Sequence, residues 1–177
     1  MRKFLKFIII SIIILPAAAW LTSVAYGQTS ADSALPDVRI EAAPLSAAPS
    51  ATFYGNAIGS VTPGDLFYVD SVNSTPDISV NLYITNADQL IHYLRYLTLK
   101  VAVYCQNPEG QWERLLLTDG SAYPDTFLTL RNGLVTFNLP GAARYKVAVE
   151  SGCFYCLSFR SNGEEIMPLF YLELDSA

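Results

Sequence analysis

The sequence predicts an all-β protein, folded as an antiparallel β-sandwich of about seven to nine strands. Two stretches, 78–85 and 96–105, alternate apolar and polar residues with a strict period of two. That period places each apolar set on one face of an extended strand. Further short apolar runs follow, separated by turn residues about every 8 to 12 positions, and this spacing is typical of sandwiches and barrels.

The two alternating stretches are predicted to be central strands that turn one face toward a core. The first apolar set is Ile78, Val80, Leu82 and Ile84, and the second is Leu97, Leu99, Val101, Val103 and Cys105. Their β-branched and aromatic content favours strands. The polar residues between them, 86–89, are predicted to form a loop.

The first 27 residues have the layout of a secretory signal peptide. Three basic residues precede an apolar run over 7–15, and small residues follow it. The alternative is an uncleaved anchor, because the 18 residues from Phe7 to Val24 approach the lower limit for a membrane-spanning helix. Both interpretations place the rest of the chain outside the cytoplasm, either secreted or held at the membrane by this segment.

Residues 28–51 are rich in Ala, Ser and Pro and are predicted to form a flexible linker before a domain at 52–177. Val38 and Ile40 are the exception, because they could form a short edge strand. Such a strand could be donated to a neighbouring molecule, so self-assembly through edge strands is one hypothesis.

The charge balance argues against a nucleic-acid partner. Removal of residues 1–27 takes away three of the 11 basic residues and no acid, which leaves eight basic against 16 acidic residues and a net charge of −8. Binding to phosphates needs clustered Lys and Arg, and the sequence contains no basic run.

Three hairpins are expected in the second half of the chain. Asn132-Gly133 and Asn162-Gly163 are strong two-residue turn signals, and each aligns apolar residues across its pair of strands. Between them, a bulged loop at 151–153 gives the best apolar register. That register places Cys153 at the tip of the hairpin and Cys156 on the face away from the core.

Residues 139–149 contain a recognisable pattern, a Leu-Pro-Gly turn followed by Tyr145-x-Val147-x-Val149. This pattern resembles fibronectin type III and related immunoglobulin-like domains over about eleven residues. The resemblance implies an immunoglobulin-like sandwich in which Tyr145 forms a tyrosine corner. The Trp and the Cys pair of antibody domains are absent from their usual positions, and the architecture implies no particular activity.

The three cysteines predict one disulfide and one remaining thiol, the usual outcome for an exported protein. Cys153 and Cys156 have the C-x-x-C spacing, which leaves a thiol redox or metal-binding protein as an alternative. In redox enzymes that motif opens a helix, whereas here it begins a predicted strand. Together with Cys105 and His92, these cysteines would reach the four ligands of a zinc site, but nothing in the sequence places His92 near them. No metal and no cofactor are therefore predicted.

No catalytic residue is predicted either. His92 is the single histidine, and the sequence has no G-x-S-x-G nucleophile elbow, phosphate-binding loop or dinucleotide-binding fingerprint. The chain is therefore predicted not to be an enzyme.

Exposed aromatic residues are the best candidates for a binding surface. Tyr83, Tyr96, Tyr104 and Phe154 fall on the faces predicted to point outward. Such side chains can stack on sugars or form a protein interface, although a second layer of the protein could equally cover them. The leading hypothesis is a non-enzymatic exported domain that acts in binding or assembly at the cell surface; a carbohydrate-binding module is the second.

Overall fold

The computed structural model describes residues 38–54, 58–74, 76–117, 120–121, 123–157 and 167–175, without the side chains of Phe53 and Tyr54. These residues form 11 strands in two antiparallel sheets, which confirms the all-β class. The predicted signal segment, the first part of the linker and the Asn162-Gly163 hairpin lie outside the described residues. Among the described residues, no helix has the length and apolar character needed to cross a membrane.

The elements in chain order are β1 (Arg39–Ala42), β2 (Ser50–Tyr54), β3 (Ile58–Thr62), β4 (Gly64–Asp70), β5 (Ile78–Ile84), α1 (Ala87–Leu90), β6 (Leu94–Gln106), β7 (Trp112–Arg114), β8 (Thr126–Thr129), β9 (Leu134–Leu139), β10 (Arg144–Cys156) and β11 (Phe170–Leu174). Sheet A contains eight of these strands, and sheet B contains β11, β5 and β9 in that order.

The long strand β10 lies at the centre of sheet A. One of its edges pairs with β3 and β4, and the other pairs with β6. Beyond these, β2 extends β3, β1 extends β4, and β7 and β8 both extend β6. The strand count exceeds the predicted seven to nine partly because Pro63, which has no N–H to donate, separates β3 from β4 along a single edge of β10.

The core lies between the two sheets and contains the predicted inward residues. Val80 and Leu82 from sheet B, and Leu99 and Val101 from sheet A, are fully buried. The alternation in both central strands therefore identified the core face correctly.

Tyr145 is also buried, and its hydroxyl donates a hydrogen bond to the carbonyl oxygen of Pro140. The predicted corner contact is therefore present. Burial raises the pKa of Tyr145 to about 12, so the hydroxyl remains a donor at physiological pH.

The predicted hairpin at Asn132-Gly133 is wrong. Strand β8 pairs with β6 in sheet A, whereas β9 pairs with β5 in sheet B, so the chain crosses between the sheets here. Neither turn residue has the positive φ that a tight hairpin of this kind requires. Apolar residues from facing sheets meet in one core, and the sequence pattern cannot distinguish that arrangement from pairing within a sheet.

The hairpin predicted around 151–153 is also wrong, because β10 runs without a turn through all of these residues. A bulge at Glu150 shifts its register against β6. One extra residue reverses the faces of the residues that follow. Phe154 and Cys156 are therefore buried in the core instead of pointing away from it, and Cys153 is exposed on the strand instead of at a loop tip.

The linker prediction fails for its last part, because residues 38–51 contribute β1 and the start of β2. The predicted edge strand around Val38 and Ile40 is confirmed, with β1 paired to β4 of the same chain. Val38 and Ala43 are buried against the domain. The many small residues of this stretch favoured the linker prediction, but pairing with β4 and β3 of the domain places parts of it in strands.

Candidate functional site

Polar and aromatic side chains cover one end of the outer face of sheet A in two adjacent rows. Strand register aligns the first row, which is Glu41, Tyr68, Lys146, Tyr104 and Arg114. The second row contains Arg39, Asp70, Arg144, Gln106 and Trp112. Both rows cross the sheet perpendicular to its strands, so five strands supply them.

A groove of about 310 Å³ lies along the second row and against Glu41 and Tyr68 of the first, and we call it the aromatic groove. The residues that line it are Arg39, Glu41, Tyr68, Val69, Asp70, Gln106, Trp112, Arg144 and Tyr145. The volume lies at the lower end of the range for small-molecule sites, about 300–1,000 Å³. The groove combines two aromatic rings with several charged and polar groups, so its lining is more polar than that of a typical small-molecule site.

Two aromatic rings converge in the groove from strands that are not neighbours. Tyr68 lies on β4 and Trp112 on β7, with β10 and β6 between them, yet their ring centroids are 5.9 Å apart and their planes differ by 28°. Both side chains must therefore lean across the sheet toward each other. The two rings therefore stack on each other above the sheet.

Lys146 packs its ammonium group against two aromatic rings. Its Nζ lies 4.9 Å from the ring centroid of Tyr104 and 5.4 Å from that of Trp112, within cation–π range. The same Nζ is 3.2 Å from an Asp65 carboxylate oxygen, and the side chain is only 16% exposed. The rings therefore cover a paired ammonium group instead of leaving it in water.

Tyr68 is fixed by the same carboxylate. Its hydroxyl donates to Asp65 Oδ2 at 2.8 Å. Burial, together with this hydrogen bond, raises the pKa of Tyr68 to about 12. The ring is consequently neutral and oriented throughout the physiological pH range.

The charges in the groove are balanced. An Arg39 nitrogen lies 2.5 Å from a Glu41 oxygen, and Arg144 Nε lies 3.0 Å from Asp70 Oδ2. These four groups contribute two positive and two negative charges. They offer hydrogen-bond donors and acceptors without a strong net field.

Beside the groove, Glu150 connects three strands. Its carboxylate accepts a hydrogen bond from the Tyr104 hydroxyl at 2.9 Å, and it lies 3.1 Å from Lys100 Nζ and 3.2 Å from Arg114 Nη1. Lys100 and Arg114 also contact Asp125, at 3.0 and 2.7 Å. Burial alone would raise the pKa of Glu150, but the hydrogen bonds from Tyr104 and Lys100 and the charge of Arg114 outweigh it and lower that pKa.

Replacing Glu150 with glutamine is expected to lower the free energy of unfolding at pH 7 by about 1–3 kcal/mol, because Lys100 and Arg114 lose one of the two carboxylates that they share and keep only Asp125. Folding lowers the pKa of the Glu150 carboxyl, so its contribution to stability is fully present at any pH above the pKa that this carboxyl has in the unfolded chain. It is lost as the pH falls through the lower pKa of the folded state. The difference between the two proteins should therefore shrink in acid, as measured by urea unfolding from pH 7 to pH 3.

The exposed turn residue Glu109 provides the matched control. Glu109→Gln should change the unfolding free energy by less than about 0.5 kcal/mol at any pH. A Glu150→Gln protein whose stability follows the wild-type pH profile would contradict the role assigned to the carboxylate.

The structure does not bring the four sequence-predicted aromatic residues together. Tyr104 lies on β6 opposite Lys146, whose Nζ is over its ring. Tyr83 lies on sheet B, where its hydroxyl donates to Glu173 at 2.6 Å and its ring neighbours Tyr171. Tyr96 is 41% exposed on sheet A, but it is eight positions along β6 from Tyr104, about 26 Å away. Phe154 is in the core, as described above.

Trp112 and Tyr68 are the residues that sequence reasoning missed. Trp112 lies on a strand of only three residues, too short to show a period of two. Tyr68 lies on β4, where a register shift against β10 interrupts the simple alternation. The only available signal was a large aromatic side chain next to the turn at 107–111.

The three cysteines, all among the described residues, form no disulfide, so the predicted bridge is wrong. Cys105 lies opposite Tyr145 and Cys156 opposite Leu94, at the two ends of the β6–β10 pair and about 36 Å apart. Cys153 and Cys156 are separated by about 10 Å of strand, whereas a disulfide needs Cα atoms within about 7 Å.

The geometry of the C-x-x-C motif differs from that of redox enzymes, because Cys153 and Cys156 lie within a strand instead of at a helix N-terminus. Burial, and secondarily the Glu113 carboxylate, raises the pKa of the Cys105 thiol. His92 lies in an exposed turn. Among the described residues, no group of three His, Cys, Asp or Glu side chains is arranged to hold a metal ion.

We expect the purified protein, never treated with reductant, to contain three alkylatable thiols after denaturation. In the native state only Cys153 should react rapidly with a thiol reagent, because Cys105 is half-buried and Cys156 is buried. Mass spectrometry after native and denaturing alkylation measures both numbers. Cys153→Ser should abolish the fast phase alone, and a single alkylatable thiol after denaturation would contradict the observed geometry.

The outer face of sheet A thus offers a small recess with an oriented aromatic surface and paired charges. Those groups can stack on and hydrogen-bond to a ligand. We compared the sequence with protein-family models and with curated proteins, and neither comparison gave a match.

Proposed function

We propose that this chain is a non-enzymatic binding domain of an exported protein and that the aromatic groove is its ligand site. The observation that carries the proposal is the convergence of Tyr68 and Trp112 to 5.9 Å over a recess of about 310 Å³. Side chains from non-adjacent strands lose rotamer freedom when they meet in this way. Because the two side chains are already ordered in the free protein, less conformational entropy is lost when a ligand binds to them.

The proposed architecture is immunoglobulin-like. It is supported by the Tyr145–Pro140 corner contact and by the pairing of β10 with β6 and of β9 with β5, which correspond to the F–C and E–B pairs of that fold. One feature departs from the family pattern. The second neighbour of β10 comes from the N-terminal strands β3 and β4, whereas the C-terminal β11 pairs with β5 in the other sheet.

Export supplies the proposed location. The predicted signal at residues 1–27 would direct the domain to the cell surface or beyond, where a net charge of −8 favours solubility. Contact with the membrane would come only from an uncleaved N-terminal segment. Determining the N-terminal residue of the exported protein tests this proposal: a start near Gln28 supports cleavage, and an intact Met1 supports the anchor.

Binding is tested with the chain from Gln28 to Ala177, which lacks only the predicted signal segment. Three panels of defined probes are used: neutral and charged oligosaccharides, peptides of acidic, basic and apolar composition, and vesicles of phosphatidylcholine with and without phosphatidylglycerol. At least one probe should bind, and Trp112→Ala should weaken its binding at least about tenfold, equivalent to about 1.4 kcal/mol.

Phe127→Ala is the matched control for that experiment. Phe127 is an exposed aromatic residue of β8 outside the groove, 47% accessible to solvent. Its removal should leave the affinity within about twofold, a change of less than about 0.5 kcal/mol. The proposal fails if no probe in any panel binds, or if Trp112→Ala and Phe127→Ala behave alike.

A further inference from the structure

We infer that the aromatic groove binds a neutral saccharide, with one or two sugar rings in contact with the protein. This inference rests on the proposed function, because it names the ligand class of the same site. Three features carry it: the aromatic surface, the charge balance and the direction of the groove across the sheet.

The aromatic surface is suited to the apolar face of a sugar ring. A pyranose presents C–H groups on its faces and hydroxyls around its rim, so it packs a face on an aromatic ring while its rim remains polar. The indole of Trp112 lines the groove, and Lys146 Nζ lies 5.4 Å from its ring centroid. The Tyr68 ring, with its hydroxyl already bonded to Asp65, stacks on Trp112 and also lines the groove.

The polar groups of the groove match hydroxyls. A hydroxyl both donates and accepts, and the groove supplies donors from Arg39 and Arg144 and acceptors from Glu41 and Asp70. Gln106 adds both kinds of group. One of its N–H groups is used on the Gly110 carbonyl at 3.1 Å, which leaves the second N–H and the amide oxygen for a ligand.

The balance of charge favours a neutral ligand over an ionic one. An anion would approach Glu41 and Asp70 on a chain whose predicted mature charge is −8. A cation would approach Arg39 and Arg144, with Lys146 behind the rings. Each ionic ligand would therefore meet like charges that cost binding energy. A neutral polyhydroxylated ligand avoids both costs.

The direction of the groove disfavours an extended peptide. Peptides commonly bind β-proteins by adding a strand to a free sheet edge, where unpaired backbone groups are available. The groove instead crosses the sheet from β1 to β7, and the backbones of β4, β10 and β6 beneath it are paired on both sides. Recognition there must use side chains and ring faces. The volume of about 310 Å³ accommodates about one or two sugar rings.

Fluorescence of Trp112 provides a direct assay. The sequence contains two tryptophans, and Trp20 lies in the predicted signal segment, so Trp112 is the only one in the chain from Gln28. Titration should use matched pairs of equal length: chitohexaose against the hexamer of chitosan, and a methyl-esterified oligogalacturonate against the free acid. Malto- and cello-hexaose complete the set of neutral probes.

At least one neutral oligosaccharide should change the Trp112 emission and bind at least about fivefold more tightly than its charged counterpart, a difference of about 1 kcal/mol. Its affinity should change less than about twofold between 0.05 and 0.5 M NaCl, because no net charge is neutralised on binding. Calorimetry should show at least a tenfold loss for Trp112→Ala and a smaller loss for Gln106→Ala. If Trp112→Ala does not fold, the loss of affinity in Gln106→Ala tests whether the saccharide binds in the groove.

The outcomes separate this inference from the proposed function. If a peptide, a vesicle or a charged oligosaccharide binds in a manner that requires Trp112, the groove is a ligand site but the saccharide assignment is overturned. If no probe binds through Trp112, both are overturned. A neutral oligosaccharide whose affinity is unchanged by Trp112→Ala and Gln106→Ala would bind elsewhere and would also overturn the assignment.

Discussion

Replacing Phe154 with alanine is expected to lower the free energy of unfolding by about 3–5 kcal/mol, the range for removal of a buried aromatic ring. Phe154 is 4% exposed and lies in register between Leu97 and Gly59. A Cβ built on Gly59 would lie 2.0 Å from the ring, so the ring rests directly on the Gly59 backbone. Gly59 has no side chain that could fill the resulting cavity. Urea unfolding at pH 7 measures the loss.

The same substitution at an exposed site provides the control. Phe127→Ala should cost less than about 1 kcal/mol, since that ring remains 47% exposed in the folded protein. If Phe154→Ala is as mild as Phe127→Ala but weakens ligand binding, Phe154 belongs on a binding surface, as the predicted hairpin register around 151–153 implies. A large loss of stability places it in the core.

Gly64→Ala is expected to destabilise the protein by about 3 kcal/mol, at the upper end of the range for overpacking. A Cβ at this position would lie 2.2 Å from the backbone nitrogen of Pro49 and 2.4 Å from the carbonyl carbon of Ala48. Those are backbone atoms, so no side-chain rotation relieves the clash. The adjacent N–H of Asp65 donates to the Ala47 carbonyl at 2.7 Å, and separating the segments would break that bond as well.

Gly133→Ala is the matched control, because a Cβ there would meet its nearest neighbours at 3.7 Å, an ordinary contact. Its φ is not positive, so alanine is tolerated and should stabilise the protein by about 0.4–1 kcal/mol by restricting the unfolded chain. Opposite signs at the two glycines are the expected result in thermal or urea unfolding. A Gly64→Ala protein as stable as the wild type would show that residues 48–49 do not pack on β4.

The sequence by itself determined the properties that depend on local periodicity. Alternation over 78–85 and 96–105 identified two central strands and their core faces, since a period of two has only one structural interpretation over that length. The pattern around Tyr145 identified the corner contact. The edge strand near Ile40 was visible for the same reason, because Val38 and Ile40 are two positions apart.

Tertiary structure decided the properties that depend on which strands meet. Both sheets of a sandwich turn an apolar face to one core, so residues on either side of Asn132-Gly133 satisfy the same alternation whether they pair or face each other. A single bulge at Glu150 reversed the faces of Phe154 and Cys156, because one inserted residue changes the parity of every later position. The aromatic groove arose in the same way: Tyr68 and Trp112 are distant in sequence and meet only because β10 and β6 align their rows across sheet A. Cross-strand register is a long-range property, and no local pattern in the sequence encodes it.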